Sequence, residues 1–243
     1  MYFRFVRAER MKLRRSFIWL ALLALPLLAA FLGTFNYWNN RAMLTKQWYS
    51  LWTQHALFYC VLFAPALTGV YCAYVCRLEH LNHNWNTIMT LPCPTGIMIL
   101  GKLTIVSILS ALTQIFIGIL FIVSGKLVGI TEPIPIELLY WLARGWLSLD
   151  SMAAILLFFA LTIRSFAIPV ALGLLGGFVG LAIRVQGYGA YYVFSLLSVG
   201  MCTFNPSAPM DCSAGLFIGS CLIYLFIGIA SCTIWMQRHD TKA

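Results

Sequence analysis

Charge is what this chain has least of. Charged residues fill 9% of its 243 positions, and only 7 of them are Asp or Glu. That is too little charged surface to cover a soluble globule of this size. Catalytic signatures are missing as well. His55, His80, His83 and His239 form no HExxH pair, and no serine sits in a GxSxG turn, which removes the usual metalloprotease and lipase chemistry. The eight cysteines show no CxxC spacing, so no metal site is expected. Gly125-Lys126 echoes a phosphate-binding loop, yet Leu127 stands in the Ser/Thr position and Leu120 in that of the first Gly. The chain therefore has no nucleotide motif of its own. No internal repeat and no polar stretch long enough for a soluble domain is visible, so residues 1–243 read as one membrane domain.

Apolar residues, at 61%, are present in excess. Their runs predict an all-α integral membrane protein with six spans: residues 17–35, 56–75, 103–123, 146–163, 166–183 and 214–235. A β-barrel would show shorter alternating segments instead. Six crossings put both termini on one side. Lys and Arg of the N-terminal arm, with Arg77, Lys102, Arg164, Arg238 and Lys242, outweigh Arg41, Lys46, Lys126, Arg144 and Arg184 on the other side, so the termini are predicted to be cytoplasmic. Residues 188–204 are apolar enough to imitate a seventh crossing, which would invert the last span. Gly187, Gly189 and Gly200 and the Asn205-Pro206 stop favour an outer re-entrant or surface-lying segment over 186–212.

A net charge of +9 invites a nucleic-acid reading, but its distribution belongs to membrane topology. Six of the 16 Lys and Arg fall in the first fifteen residues, without any recognition module. At helical spacing Arg4, Arg7, Arg10, Arg14 and Arg15 share a side opposite Tyr2, Val6 and Leu13, and Glu9 and Lys12 spoil the pattern. Residues 1–15 read as an interfacial helix with its basic face toward anionic lipid. The following apolar run is too long for a signal peptide, and Tyr37, Trp38 and Asn39 replace the small residues of a cleavage site; it is read as a retained span.

Residues 77–102 are the one long polar interval between two clear spans. Their order, polar and then Trp85, Ile88, Met89 and Leu91 before Pro92 and Pro94, predicts a short surface helix stopped by prolines. It is either an inert turn or a docking element. Asp150 follows Arg144 by six residues, about 9 Å deeper along a helix, and an acid at that depth is expected to face protein or water. Two uses stay open: lining a path between subunits, or a packing hydrogen bond to a group such as Gln114. Cys72 and Cys76 share a helix face and read as packing residues, and Cys202 and Cys212 flank one loop where a disulfide is possible.

The arm, the six spans, an interval running from Glu79 through Trp85 and Leu91-Pro92 to Lys102, and an apolar segment before the last span resemble the type-2 ABC transporter permeases. The run 151–181, with its turn from Ser165 through Phe166 to Pro169, is similar to the short lantibiotic-immunity and bacitracin-resistance-like members. Asp150 departs from the neutral polar residue expected there. The resemblance implies a permease that lacks catalytic residues and binds no cofactor itself, with ATP and Mg on a partner ABC ATPase dimer, in a bacterial cytoplasmic membrane. Residues 79–94 would form the ATPase-coupling helix, with Glu79, His80, Trp85, Leu91, Pro92 and Lys102 as its candidate residues, and the arm a connecting helix. A second, different permease is implied, and so is a cationic amphipathic antimicrobial peptide as substrate. Trp38, Trp48, Trp52, Tyr191 and Tyr192 are then either its outer contact surface or an interfacial aromatic belt. The rival readings are export of a lipid, drug or ion, or a non-transporting scaffold or sensor.

Overall fold

The structure, a computed structural model, describes residues 1–14, 16–81 and 93–238. Its elements are α1 (Tyr2–Lys12), α2 (Ile18–Asn39), α3 (Gln47–Phe58), a π turn (Tyr59–Phe63), α4 (Ala64–His80), α5 (Thr95–Leu127), α6 (Glu137–Thr162), α7 (Ala167–Val185), a 3-10 turn (Gly189–Tyr191), α8 (Val193–Gly200) and α9 (Ala214–Arg238). Six helical stretches among the described residues are long and apolar enough to cross a membrane. They correspond one to one with the six predicted runs. Leu20, Leu23, Leu27, Phe31 and Phe35 on α2, and Leu222, Ile223 and Phe226 on α9, stay exposed, as helices facing hydrocarbon require.

The second span is longer than hydropathy predicts, reaching from Gln47 to Arg77. Its polar start is packed inside the bundle. His55 is buried and shares a 2.9 Å hydrogen bond with Thr34 Oγ1 of α2. Trp48 and Trp52 donate their indole N–H to Glu132 O at 2.9 Å and Met201 O at 2.8 Å. Trp52 stacks on Trp141 with ring centres 4.8 Å apart and meets Phe121 edge-on. These two tryptophans are core, at 1% and 0% exposure, and belong neither to an outer contact surface nor to a belt. Trp38 and Tyr191 are exposed.

The π turn has a covalent cause. Pro65 lacks an N–H, and its ring collides with the carbonyl four residues back, that of Val61, so the helix widens by one residue there. Helix α7 closes on this backbone. A Cβ on Gly177 would lie 2.1 Å from Val61 O, and one on Gly173 would lie 2.3 Å from Pro65 O.

Helix α1 and the end of α9 lie at one end of the bundle, here called proximal, where α1 packs on α5 and Gln237 of α9 reaches Thr95 at 3.4 Å. At the distal end, residues 188–204 fold into the 3-10 turn and α8, an eight-residue helix buried along its whole length. Eight residues rise about 12 Å, short of the ~30 Å core, so no seventh span forms there. Cys202 and Cys212 are free thiols.

Candidate functional site

At the proximal end the interval 77–102 is bracketed by α4 and α5, and a buried group of charges lies where these two helices meet α1. Glu9 and Lys12 are one helical turn apart on α1 and point the same way. Glu79 sits in the last turn of α4, and Lys102 lies eight residues into α5. Lys12 Nζ is 2.7 Å from Glu9 Oε1 and 2.6 Å from Glu79 Oε1. Lys102 Nζ is 2.8 Å from Glu79 Oε1 and 3.4 Å from Glu9 Oε1, and it donates to Val75 O at 2.7 Å. Two anions and two cations thus alternate, and the three donors of Lys102 each have an acceptor.

The side chains of Glu9, Glu79 and Lys102 are 1–2% exposed, that of Lys12 31%. Burying an unpaired ion costs several kcal/mol, so the group is stable only as a set. Burial pushes the Glu79 carboxyl up, but Lys102 and Lys12 together outweigh it and hold the group below its ordinary value. Glu79 Oε2 has no hydrogen-bond partner among the described residues.

This arrangement joins three pieces: the arm, the exit of α4 and the entry of α5. Around it, Phe5 of α1 packs on Gly101, where a Cβ would lie 2.4 Å from the ring, and Tyr2 OH meets Thr104 Oγ1 at 2.5 Å. His80 donates from Nε2 to Ala160 O of α6 at 2.9 Å, adding a fourth piece. The four ions and their bonds hold α1, α4 and α5 together as a charge-locked joint.

The sequence-predicted residues divide accordingly. Glu79 and Lys102 come together as buried partners, with side chains 1% and 2% exposed. Their charges need each other more than they need a surface. Trp85, Leu91, Pro92 and Arg15 lie outside the described residues. Arg4, Arg7, Arg10 and Arg14 are exposed, while the opposite side of α1 packs on α5. The two residues that break the amphipathic pattern of the arm, Glu9 and Lys12, are the ones that complete the cluster. That interruption was the only signal in the sequence for their role.

The set of Asp150, Arg144 and Gln114 does not converge. Asp150 Oδ2 accepts from Ser107 Oγ of α5 at 2.9 Å, and Trp146 Nε1 donates to Ser107 O at 3.1 Å. Gln114 is buried, contacts Met201 Sδ at 3.8 Å and lies against Gly145. The antiparallel register of α5 and α6 explains this correction: Ser107 is level with Asp150, and Gln114, two turns further along α5, is level with Gly145. Arg144 bonds Tyr140 O at 3.1 Å and reaches Met210 Sδ at 3.5 Å.

A second buried charge lies at the distal end. Arg184 of α7 donates to Asp211 Oδ2 from Nε at 3.1 Å and Nη2 at 2.7 Å, and from Nη1 to Ser198 O. Its guanidinium carbon lies 4.2 Å from the centre of the Phe204 ring. Beside it opens a cavity of about 560 Å³ whose wall includes Tyr191, Phe204, Asp211 and Cys212.

No curated protein matches the chain by sequence similarity. The family model described as "ABC-2 family transporter protein" matches residues 5–180, a stretch that contains most of α1, the interval and all four members of the proximal cluster. That match covers most of the chain, which carries six helices long and apolar enough to cross a membrane and belongs to the ABC-2 family of membrane transporter subunits.

Proposed function

We propose that this chain is the permease subunit of an ATP-driven exporter in a bacterial cytoplasmic membrane, with both termini cytoplasmic. ATP and Mg are held by a dimer of separate ABC ATPases, and a second, different permease completes the membrane portion. The observation that carries this reading is the proximal cluster. It fastens the arm to both helix ends that bracket the polar interval, so a push on that interval moves α1, α4 and α5 as one piece. Rigid-body rocking of packed helices is how such machines alternate access. In this reading residues 79–94 meet the ATPase as a coupling helix, while the Glu79 and Lys102 side chains act behind the contact.

The exported substrate is a cationic amphipathic antimicrobial peptide of the lantibiotic class. Support comes from the distal cavity, where Asp211, with a side chain 52% exposed, stands beside Tyr191 and Phe204. Arg184 already pairs with Asp211 Oδ2 and covers the Phe204 ring, so what the cavity offers a cationic and apolar ligand is the water-facing side of that carboxylate and the exposed Tyr191.

The test is reconstitution of the permeases with their ATPase in vesicles, reading ATP hydrolysis with and without a cationic lanthionine peptide. The peptide stimulates hydrolysis, and Lys12→Gln keeps the complex assembled but cuts that stimulation about tenfold, the scale of a 1.4 kcal/mol loss in coupling. Stimulation by a lipid or drug and not by peptide moves the substrate to those classes. An ATPase that binds without responding to any ligand leaves a scaffold. Accessibility labelling of residues 80–90 on the external face would sink the coupling mechanism outright.

A further inference from the structure

Two cavities meet at the distal end of α6. One, of about 410 Å³, is an apolar cleft between α6 and α9 whose wall includes Tyr140, Ala143, Leu147, Phe217 and Ile218. The other, of about 300 Å³, is polar, and its wall includes Glu137, Trp141, Cys202 and Ser207. Arg144 and Met210 belong to both. Glu137 and Arg144 are half-buried, carry opposite charges and line one cavity, yet among the described residues neither is in an ion pair. The Arg144 guanidinium bonds a neutral carbonyl, Tyr140 O at 3.1 Å, and a thioether, Met210 Sδ at 3.5 Å. Glu137 has the Tyr49 hydroxyl beside it. Neutral partners of this kind occupy donors and acceptors without cancelling either charge. Asp211, next to Met210 in the chain, is taken up by Arg184.

We infer that the two cavities together hold one phospholipid whose headgroup carries a phosphate and a primary ammonium, with the phosphate on Arg144, the ammonium on Glu137 and an acyl chain in the cleft. The order of groups along α6 carries this. Glu137 is the first residue of the helix, Arg144 lies two turns or about 10 Å further in, and Leu147 lies one turn beyond that. A phospholipid of the distal leaflet presents ammonium, phosphate and acyl chain in the same order. With 26 residues α6 rises about 39 Å, more than the ~30 Å hydrocarbon core, so its first turns stand at headgroup level. Arg is the side chain that grips phosphate oxygens with parallel N–H groups. The cleft chooses the source of the headgroup, because a water-soluble phosphoamine has nothing to lay against Leu147, Phe217 and Ile218. Lys46, which bonds Ser207 Oγ at 2.9 Å, is a second cation beside the polar cavity. Attraction for phosphate therefore supplies the hold, and Glu137 supplies the choice between headgroups. The site shares no described lining residue with the cavity beside Arg184.

The experiment uses the full chain in a neutral detergent with three short-chain probes: phosphatidylethanolamine, phosphatidylglycerol, and phosphatidylcholine, whose ammonium has no N–H. Native mass spectrometry reads retained lipid, and thermal unfolding reads its effect. Phosphatidylethanolamine is retained about tenfold better than the other two and raises the unfolding midpoint most. Glu137→Gln brings it down to the level of phosphatidylglycerol, whose own retention does not fall. Arg144→Gln lowers retention of all three about tenfold, and Lys126→Gln, at the same end but outside both cavities, changes nothing. If Arg144→Gln does not fold, Ala143→Trp carries the test, because an indole at that exposed position fills the cleft and lowers retention of all three. Wild-type retention in both Arg144→Gln and Ala143→Trp overturns the proposal. Equal retention of phosphatidylglycerol and phosphatidylethanolamine by the wild type also overturns it and marks a plain anion site. Loss of assembly with the second permease in Ala143→Trp, with lipid retention intact, assigns the cleft to a helix of that subunit and overturns it as well.

Discussion

The two buried basic groups at opposite ends of this bundle are bonded alike and placed differently. Lys102 and its partner Glu79 are both almost wholly out of water, whereas the Arg184 side chain is 2% exposed and its partner Asp211 is 52% exposed. At the proximal end the charges depend entirely on one another, and the four form a closed joint between α1, α4 and α5. At the distal end one half of the pair keeps its hydration and looks into a cavity. In the proposed mechanism the first is a joint that passes on movement and the second an edge that meets a ligand. The difference also fixes how much each should suffer when one partner is removed, because only a buried ion left alone carries the full desolvation cost.

The contrast breaks most visibly at Lys102. Lys102→Met strands Glu9 and Glu79 beside Lys12 alone and is expected to destabilise the protein by about 3–5 kcal/mol. Thermal unfolding in detergent would read this as a large fall in the midpoint. Replacing Glu79 by Leu in the same chain should restore part of the loss, and failure of that double variant to recover anything would mean the charges are not a coupled set. Arg184→Met is expected to cost less, about 1–3 kcal/mol from lost hydrogen bonds, since Asp211 keeps its water and Ser198 O still accepts the Thr203 N–H at 3.1 Å. A loss as large as that at Lys102 would show that the distal end is as closed as the proximal one. Acid sharpens the comparison further. Glu79 titrates below its ordinary 4.5, so its contribution is complete above that value and is lost as pH falls through the lower folded-state value. Glu79→Gln should flatten this part of the acid-unfolding profile below roughly pH 4.5.

The six crossings were legible because a helix in hydrocarbon must be apolar for its whole length, and that pattern needs no tertiary information. The start of the second span was not, because Ser50 and His55 look like loop residues until Ser50 Oγ takes the Lys46 N–H of its own turn and Thr34 and Phe121 meet His55 from other helices. The fate of Trp48 and Trp52 was hidden for the same reason: an indole reads equally as belt or core until its N–H finds a carbonyl. Glu79 and Lys102 were visible as bounds of the polar interval, yet their burial depends on Glu9 and Lys12, which arrive from a helix some seventy residues earlier in the chain. Nothing in spacing along one strand of sequence announces a partner at that separation. Asp150 was found by depth, but its partner depended on the register of α5 against α6, which composition does not encode.

Asp150 offers the smallest expected effect and the finest distinction. It is neither closed off like Glu79 nor hydrated like Asp211: one oxygen accepts from Ser107, and Oδ1 is buried with no partner among the described residues. Asp150→Asn removes a charge whose insertion at membrane depth costs about 2.5–3.5 kcal/mol on insertion scales and weakens one charge-assisted hydrogen bond by about 1 kcal/mol. The intramembrane position returns only part of the insertion cost, because the carboxylate already has Ser107. The net expectation is stabilisation by about 1 kcal/mol, read as a small rise in the unfolding midpoint. If the variant is stabilised and transport is unchanged, the carboxylate is a packing group. If it is stabilised and peptide-stimulated hydrolysis falls, the acid is kept at a cost in stability because a moving cation passes it, and the joint and the ligand-facing edge then have a third charged station between them.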